Sequence, residues 1–204
     1  PIPRRAPGPG AIPVRRAGRT IGVVARTIGR DGSPEGASAL EEAYLASADE
    51  LARMIAEGRF PFPAMFSDPE SAPRVGDGLV RLDAAGTVRF ASPNAVSAYR
   101  RLGLVGDLVG VDLATATRAI AAAAGPVDEA LAAVAGGRAP RSAELEAAGS
   151  HVLLRSIPII PGGLRTGALV LLRDVTDLRR REQMMATKDA TIREIHHRVK
   201  NNLQ

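Results

Sequence analysis

The sequence predicts an α+β protein that ends in one long helix. Three observations carry this. Between residues 75 and 176, two strand-like runs are followed by short helices and then by three more strand-like runs, with turn residues at the joints. From Asp177 the chain becomes charged and helical, with Leu178, Met185, Ile192 and Val199 recurring every seven residues. Ahead of both, apolar residues at three- and four-residue steps mark a helix that stands apart between two turn-rich stretches. The chain therefore divides into segments 1–30, 38–58, 75–176 and 177–204.

The first segment reads as two short strands, Ala11 to Val14 and Thr20 to Thr27, joined by a tight turn at Arg16, Ala17 and Gly18. A lone hairpin is marginal in water, so this one is expected to close a domain that begins outside the chain. Asp31, Gly32, Ser33, Pro34, Glu35 and Gly36 form a linker. Leu40, Tyr44, Leu45, Ala48, Leu51, Met54 and Ile55 then give a helix from about Ser38 to Glu57, stopped by Gly58 and Pro61. Its apolar stripe needs a partner, either a neighbouring domain or the same helix of a second chain. Residues 60–73, dense in Pro and polar groups, form a loop.

The compact segment opens with strand Leu79 to Leu82, which turns through Asp83, Ala84, Ala85 and Gly86 into strand Thr87 to Ala91. Ser92 before Pro93 is a cap followed by a first-turn proline, and Val96, Tyr99 and Leu102 line the buried face of the helix until Gly103. A second helix is expected over about Val127 to Val134. Strands follow at Arg141 to Ala147, His151 to Ile160 and Thr166 to Arg173, the last pair turned by Pro161, Gly162 and Gly163.

Composition narrows the chemistry. With 204 residues, 45% apolar but only 3% aromatic and no Trp, the core must be built from Ala, Leu, Val and Ile. The absence of cysteine removes disulfides, thiolate metal sites and a cysteine nucleophile, and argues against zinc. The net charge of +5 sits largely at Arg4, Arg5, Arg15, Arg16 and Arg19 and at Arg179, Arg180 and Arg181. No aromatic residues interleave with these clusters for base stacking, so direct nucleic-acid binding is not expected. There is no apolar run of some 18 residues and no signal-peptide pattern, which predicts a cytoplasmic protein without membrane insertion. The start at Pro1 and the close at Leu203 and Gln204 inside a helical pattern predict that both ends are cut.

The run Gly78, Leu79, Val80, Arg81, Leu82, Asp83, with Gly86 and then Ala91, Ser92, Pro93, Asn94, Ala95, resembles the opening hairpin and first helix of PAS sensor domains. Arg173, Asp174, Val175, Thr176, Asp177 resembles the Asp-Val-Thr signature by which such domains pass into a signalling helix. The resemblance implies a PAS domain over 75–176, a five-stranded antiparallel sheet with flanking helices. Residues 11 to 28 look like the closing strands of a GAF domain, making 1–30 a GAF-like remnant. No cofactor is expected in the PAS segment. A flavin adduct would need a Cys, and His151, in an apolar strand, reads as a packed or edge residue rather than a haem ligand. The glycines at Pro7 to Gly10 and Gly162 to Gly167 lack the Gly-Lys-Ser/Thr ending of a phosphate loop.

In the last segment the seam of Leu178, Met185, Ile192 and Val199 predicts a dimeric coiled coil. The companion positions Arg181, Lys188 and Asn202 beside one apolar Ile195 make that seam weak and readily switched in register or tilt. The competing reading is a charged helix packed on its own domain. The run from Arg193 to Gln204, Arg-Glu-Ile-His-His-Arg-Val-Lys-Asn-Asn-Leu-Gln, closely resembles the phosphoacceptor box of the His-Arg-Val-Lys-Asn (HWE-like) subclass of sensor histidine kinases. At about 100° per residue, His196 lies about 60° from the centre of the arc of Ile192, Ile195, Val199 and Leu203, whereas His197 lies about 160° away. An exposed imidazole is what phosphoryl transfer needs, so His197 is the expected acceptor and His196 the alternative. Glu194, Lys200 and Asn201 share its face. Glu194 can hold the second ring nitrogen, Lys200 can offset phosphoryl charge and Asn201 can donate to it. The plain alternative is a helix-stabilising Glu194 to Arg198 pair with Lys200 and Asn201 solvated.

The resemblance implies ATP and Mg2+ bound by a separate catalytic domain that lies outside this chain, and phosphate passed to an aspartate of a response regulator. The order GAF, PAS, phosphoacceptor box resembles soluble actinobacterial kinases whose regulator carries an RNA-binding antiterminator domain. From a different class, the chain could be a non-catalytic PAS ligand-binding module that only dimerises.

Overall fold

The computed structural model describes residues 11–16, 18–25, 38–62, 72–125 and 128–202, apart from the side chains at 16, 25, 196, 197 and 199–202. The linker at 31–36, most of the loop at 63–71 and residues 126–127 lie outside the described residues. Strands β1 (Ala11–Arg16) and β2 (Arg19–Ala25) pair antiparallel from Ala11↔Ala25 to Arg16↔Arg19.

Helix α1 (Ala39–Ala56) starts on a capping box. The Ser38 hydroxyl accepts from the Glu41 amide while the Glu41 carboxylate takes the Ser38 amide at 2.8 Å. Its apolar stripe finds its partner within the chain, on the outer face of the larger sheet. Met54 is fully buried with Leu79, Ile157, Ile159, Leu169 and Leu171, and its sulfur accepts the Ile160 amide at 3.4 Å. Glu50 pairs with Arg81 at 2.7 Å, and the Glu57 carboxylate accepts the Gly162 amide at 2.9 Å. The glycine turn at 161–163 is thus capped by a carboxylate.

The larger sheet is antiparallel throughout, in the order β4-β3-β7-β6-β5. Its strands are β3 (Leu79–Asp83), β4 (Val88–Ala91), β5 (Ser142–Ala147), β6 (Ser150–Ile159) and β7 (Gly167–Asp174). Central β7 is buried on both faces. Ala168, Val170 and Leu172 enter the inner core, whereas Leu169 and Leu171 meet α1. Three helices cover the inner face: α2 (Pro93–Arg101), α3 (Leu113–Ala124) and α4 (Glu129–Ala135). The side chain of Ser92 caps α2 and also takes the Leu79 amide at 2.9 Å, joining helix start to strand.

Two readings are corrected. The buried face of α2 is Ala95, Ala98, Tyr99 and Leu102, with Val96 only half-buried. The sequence reading also lacked α3, a 12-residue helix capped by Asp112, whose carboxylate accepts the Thr115 amide at 2.7 Å. Its buried positions Leu113, Thr117, Ile120 and Ala121 recur at a helical period, but only two of them are large and apolar, so the stripe is faint among the alanines. The Tyr99 hydroxyl bonds Thr117 at 2.8 Å across α2 and α3, and burial pushes its phenol well above the ordinary range. Arg165 closes one end of the domain, donating to the carbonyls of Ala84 at 2.7 Å, Gly136 at 2.9 Å and Gly137 at 3.2 Å.

Candidate functional site

The candidate residues lie on α5 (Thr176–Asn202), an unbroken helix of 27 residues that leaves the sheet directly from β7. At about 1.5 Å per residue it spans roughly 40 Å. Its start is fixed by the Asp-Val-Thr run. The Asp174 carboxylate accepts the Thr176 amide at 2.9 Å and pairs with Arg101 at 2.9 Å. Burial alone would raise the Asp174 carboxyl, but Thr176 and Arg101 outweigh it and hold the group below the usual range. Val175 is buried and its amide donates to the His151 carbonyl at 2.9 Å, while the Thr176 hydroxyl accepts the His151 amide at 2.9 Å.

One turn on, Arg179 reaches across to Glu144 on β5. Its Nε lies 2.9 Å from Glu144 Oε1 and a terminal nitrogen bonds Oε2, while the other holds Glu182 at 2.7 Å. The same Glu144 Oε1 lies 3.2 Å from Nδ1 of His151, whose Nε2 is 3.7 Å from Glu146. Hydrogen bonds from Arg179, then its charge, then His151, hold the Glu144 carboxyl below its ordinary range against the opposing effect of burial, and Arg179 is raised in turn. His151 is thus a packed residue on carboxylates, its side chain only 12% exposed.

Beyond Arg179 every α5 residue whose burial is described is exposed or, at most, lies against solvent on an open helix face. The seam residues Leu178, Met185, Ile192 and Ile195 are all open, Met185 at 67%. Among the described residues, α5 does not pack back on its own domain past its second turn. The backbone stays helical through positions 196, 197, 200 and 201, whose side chains lie outside the described residues. Glu194 is paired with Arg198, both exposed, which is the helix-surface arrangement its spacing allows. Sequence reasoning missed Glu144 and Arg179 as a pair. The charge of each was visible, but nothing local joins residues 35 apart.

Among the described residues no group of His, Cys, Asp and Glu could hold a metal ion, and no helix is long and apolar enough to cross a membrane. An open cleft of about 400 Å³ lies between α3, α4 and β5, with Asp128, Glu144 and Glu146 among the residues that line it.

This five-stranded sheet with an exiting helix resembles a known sensor architecture. A solved structure described as the sensor region of a sensor histidine kinase superposes with a TM-score of 0.72 at 37% identity, covering 83% of this chain and 65% of that one. In sequence, the chain is homologous to the sensor histidine kinase PdtaS. It is 46% identical over 199 residues to the protein of Mycolicibacterium smegmatis and 45% identical over 196 residues to that of Mycobacterium tuberculosis. These alignments take in 95% and 94% of this chain, and the chain spans about two fifths (39%) of the length of each of these curated relatives. No protein-family model matches the chain.

Proposed function

We propose that this chain is the sensory and phosphoacceptor part of a two-component sensor histidine kinase, with His197 as the residue that takes the phosphoryl group. The observation that carries the reading is the continuity of α5. One helix leaves the sheet at Thr176 and runs without a break through the acceptor sequence at 193–202. The homology at about 45% identity, with relatives named as sensor histidine kinases, supports it. In this reading residues 75–176 are a PAS domain, 1–30 the end of a GAF domain and 38–58 a linker helix. Residues 177–204 begin the dimerisation and phosphotransfer region, and two copies associate through the exposed seam.

ATP and Mg2+ would be held by a catalytic domain outside this chain, and a response regulator, of the RNA-binding antiterminator type, would receive the phosphoryl group on an aspartate. The protein works in the cytoplasm. At the acceptor, a ring nitrogen of His197 forms the bond to phosphorus as the bond to the departing ADP oxygen breaks. Glu194 holds the second ring nitrogen. It first exchanges its Arg198 partner for the imidazole one position nearer, a small cost for an exposed pair. Lys200 and Asn201 stabilise the transferring group.

The test uses the longer kinase. His197→Gln is expected to abolish labelling from ATP while the dimer persists, and His196→Gln to reduce it only in part. The phosphate should be acid-labile and base-stable. The reverse pattern would make His196 the acceptor, and labelling unaffected by either change would leave a non-catalytic ligand-binding module as the better reading.

A further inference from the structure

We propose that Glu144 and Arg179 form a latch that sets the direction of α5, so that displacement of edge strand β5 reaches the acceptor position through this pair. The proposal rests on the reading of α5 as the phosphoacceptor helix. Two close attachments fix where the helix points, beside a longer bond from Arg180 to the Gly149 carbonyl at 3.4 Å. Thr176 is the pivot, bonded to the His151 backbone on β6. Arg179, one turn further, is the last residue of α5 described as less than fully exposed in its first two turns, and its guanidinium closes on both oxygens of Glu144. With a pivot alone, the helix could swing. With the latch closed, its azimuth and tilt follow β5.

The lever is long. From Arg179 to position 197 the helix runs roughly 27 Å at about 1.5 Å per residue, so a tilt of about 10° moves the acceptor position by roughly 5 Å. That is enough to bring an imidazole into or out of reach of a phosphoryl donor.

β5 is the strand best placed to drive such a tilt. It is an edge strand, paired among the described residues with β6 on one side. Its Leu145 and Ala147 are buried in the inner core that α3 and α4 cover with Ile120, Ala121, Leu131 and Val134. The cleft between those helices and β5 has Glu144 itself on its wall. Any shift of α3 or α4 over the sheet therefore moves the neighbours of Glu144 before it reaches central β7. His151 shares the Glu144 oxygen that Arg179 Nε uses, which ties pivot residue and latch residue into one unit.

A double-mutant cycle in this chain tests the latch. Amide hydrogen exchange is measured for wild type, Glu144→Gln, Arg179→Gln and the double variant. Each single change should speed exchange at residues 177–183 by about tenfold, and the double variant no more than the larger single, because both remove one interaction. Exchange in β3 and β7 should stay at the wild-type level, which shows that the domain remains folded. In the longer kinase, each single change should shift the labelling rate by at least about threefold, and Arg179→Lys should recover only part of it, since the charge is kept while the forked geometry is lost. Unchanged exchange at 177–183, or singles whose effects simply add, would overturn the latch. So would altered exchange with an unaltered labelling rate. If the wild-type kinase takes no phosphate on histidine, the phosphoacceptor reading fails, and the exchange cycle still decides whether the latch exists.

Discussion

Met54→Ala tests the docking of α1 on the sheet. The Met54 side chain is wholly buried among Leu79, Ile157, Ile159, Leu169 and Leu171. Truncation removes roughly three methylene equivalents at about 0.8 kcal/mol each, or about 2.4 kcal/mol of transfer free energy. The cavity left beneath α1 adds to this. The Ile160 amide, which donates to the Met54 sulfur at 3.4 Å, also loses its partner, at the low end of about 1–3 kcal/mol because the site is only part-buried. The expected loss is about 3–4 kcal/mol, within the range of buried Met-to-Ala changes. On the same helix Leu45 is half exposed, so Leu45→Ala should cost under about 0.5 kcal/mol. Urea denaturation followed by circular dichroism at constant slope measures both. A Met54→Ala loss below about 1 kcal/mol would mean that α1 does not rest on this sheet in solution.

Three further outcomes follow from other parts of the molecule. Gly137→Ala drives a methyl into the Ala168 Cβ at a φ of +66°, so it should cost about 2–4 kcal/mol in the same denaturation assay, and a loss near zero would contradict the packing of the α4 exit on β7. The Glu144 carboxyl is depressed in the folded state, so it adds stability above its unfolded value near 4.5, and this is lost as pH falls through the folded value. The stability gap between wild type and Glu144→Gln should therefore shrink steadily between about pH 6 and pH 3, and a pH-independent gap would refute the assignment. Met185→Asp, at a seam position 67% exposed in the single chain, should weaken self-association in sedimentation equilibrium by at least about tenfold, and an unchanged dimer would move the seam elsewhere.

The strands were legible because their faces alternate and their turns carry Gly, Pro and Asp. β7 keeps a strict inner and outer alternation from Ala168 to Leu172, and Asp83 caps its own turn by accepting the Ala85 and Thr87 amides. α1 was legible for its stripe and its stop at Gly58 and Pro61, yet the sequence left open whether another domain or another chain covered it. Only the register of β3, β6 and β7 places Leu79, Leu169 and Ile157 on one outer face to receive Met54. α3 was lost because its buried stripe holds only two large apolar residues, Leu113 and Ile120, among alanines and a threonine. Its Ala121 fits against the core by smallness, which no periodicity of large residues reveals.

The proposed acceptor run and the proposed latch differ in how they are encoded, which explains why the first can be proposed from sequence and the second cannot. A helix brings residues three and four apart to one side, so chemistry assembled on a single helix leaves a contiguous trace, and Glu194, His197, Lys200 and Asn201 can be read together from twelve residues. Direction is another matter. Where α5 points depends on Thr176 meeting the backbone of His151, 25 residues away, and on Arg179 meeting Glu144, 35 residues away. Those pairings exist only once β5 and β6 are in register, with Glu146 opposite His151 and Glu144 opposite Leu153. A slip of one residue would turn Glu144 to the other face and leave Arg179 without its partner. Control of the helix is therefore written in the pairing of the sheet, and a change in β5 that leaves every residue of the acceptor run untouched should still alter what that run can reach.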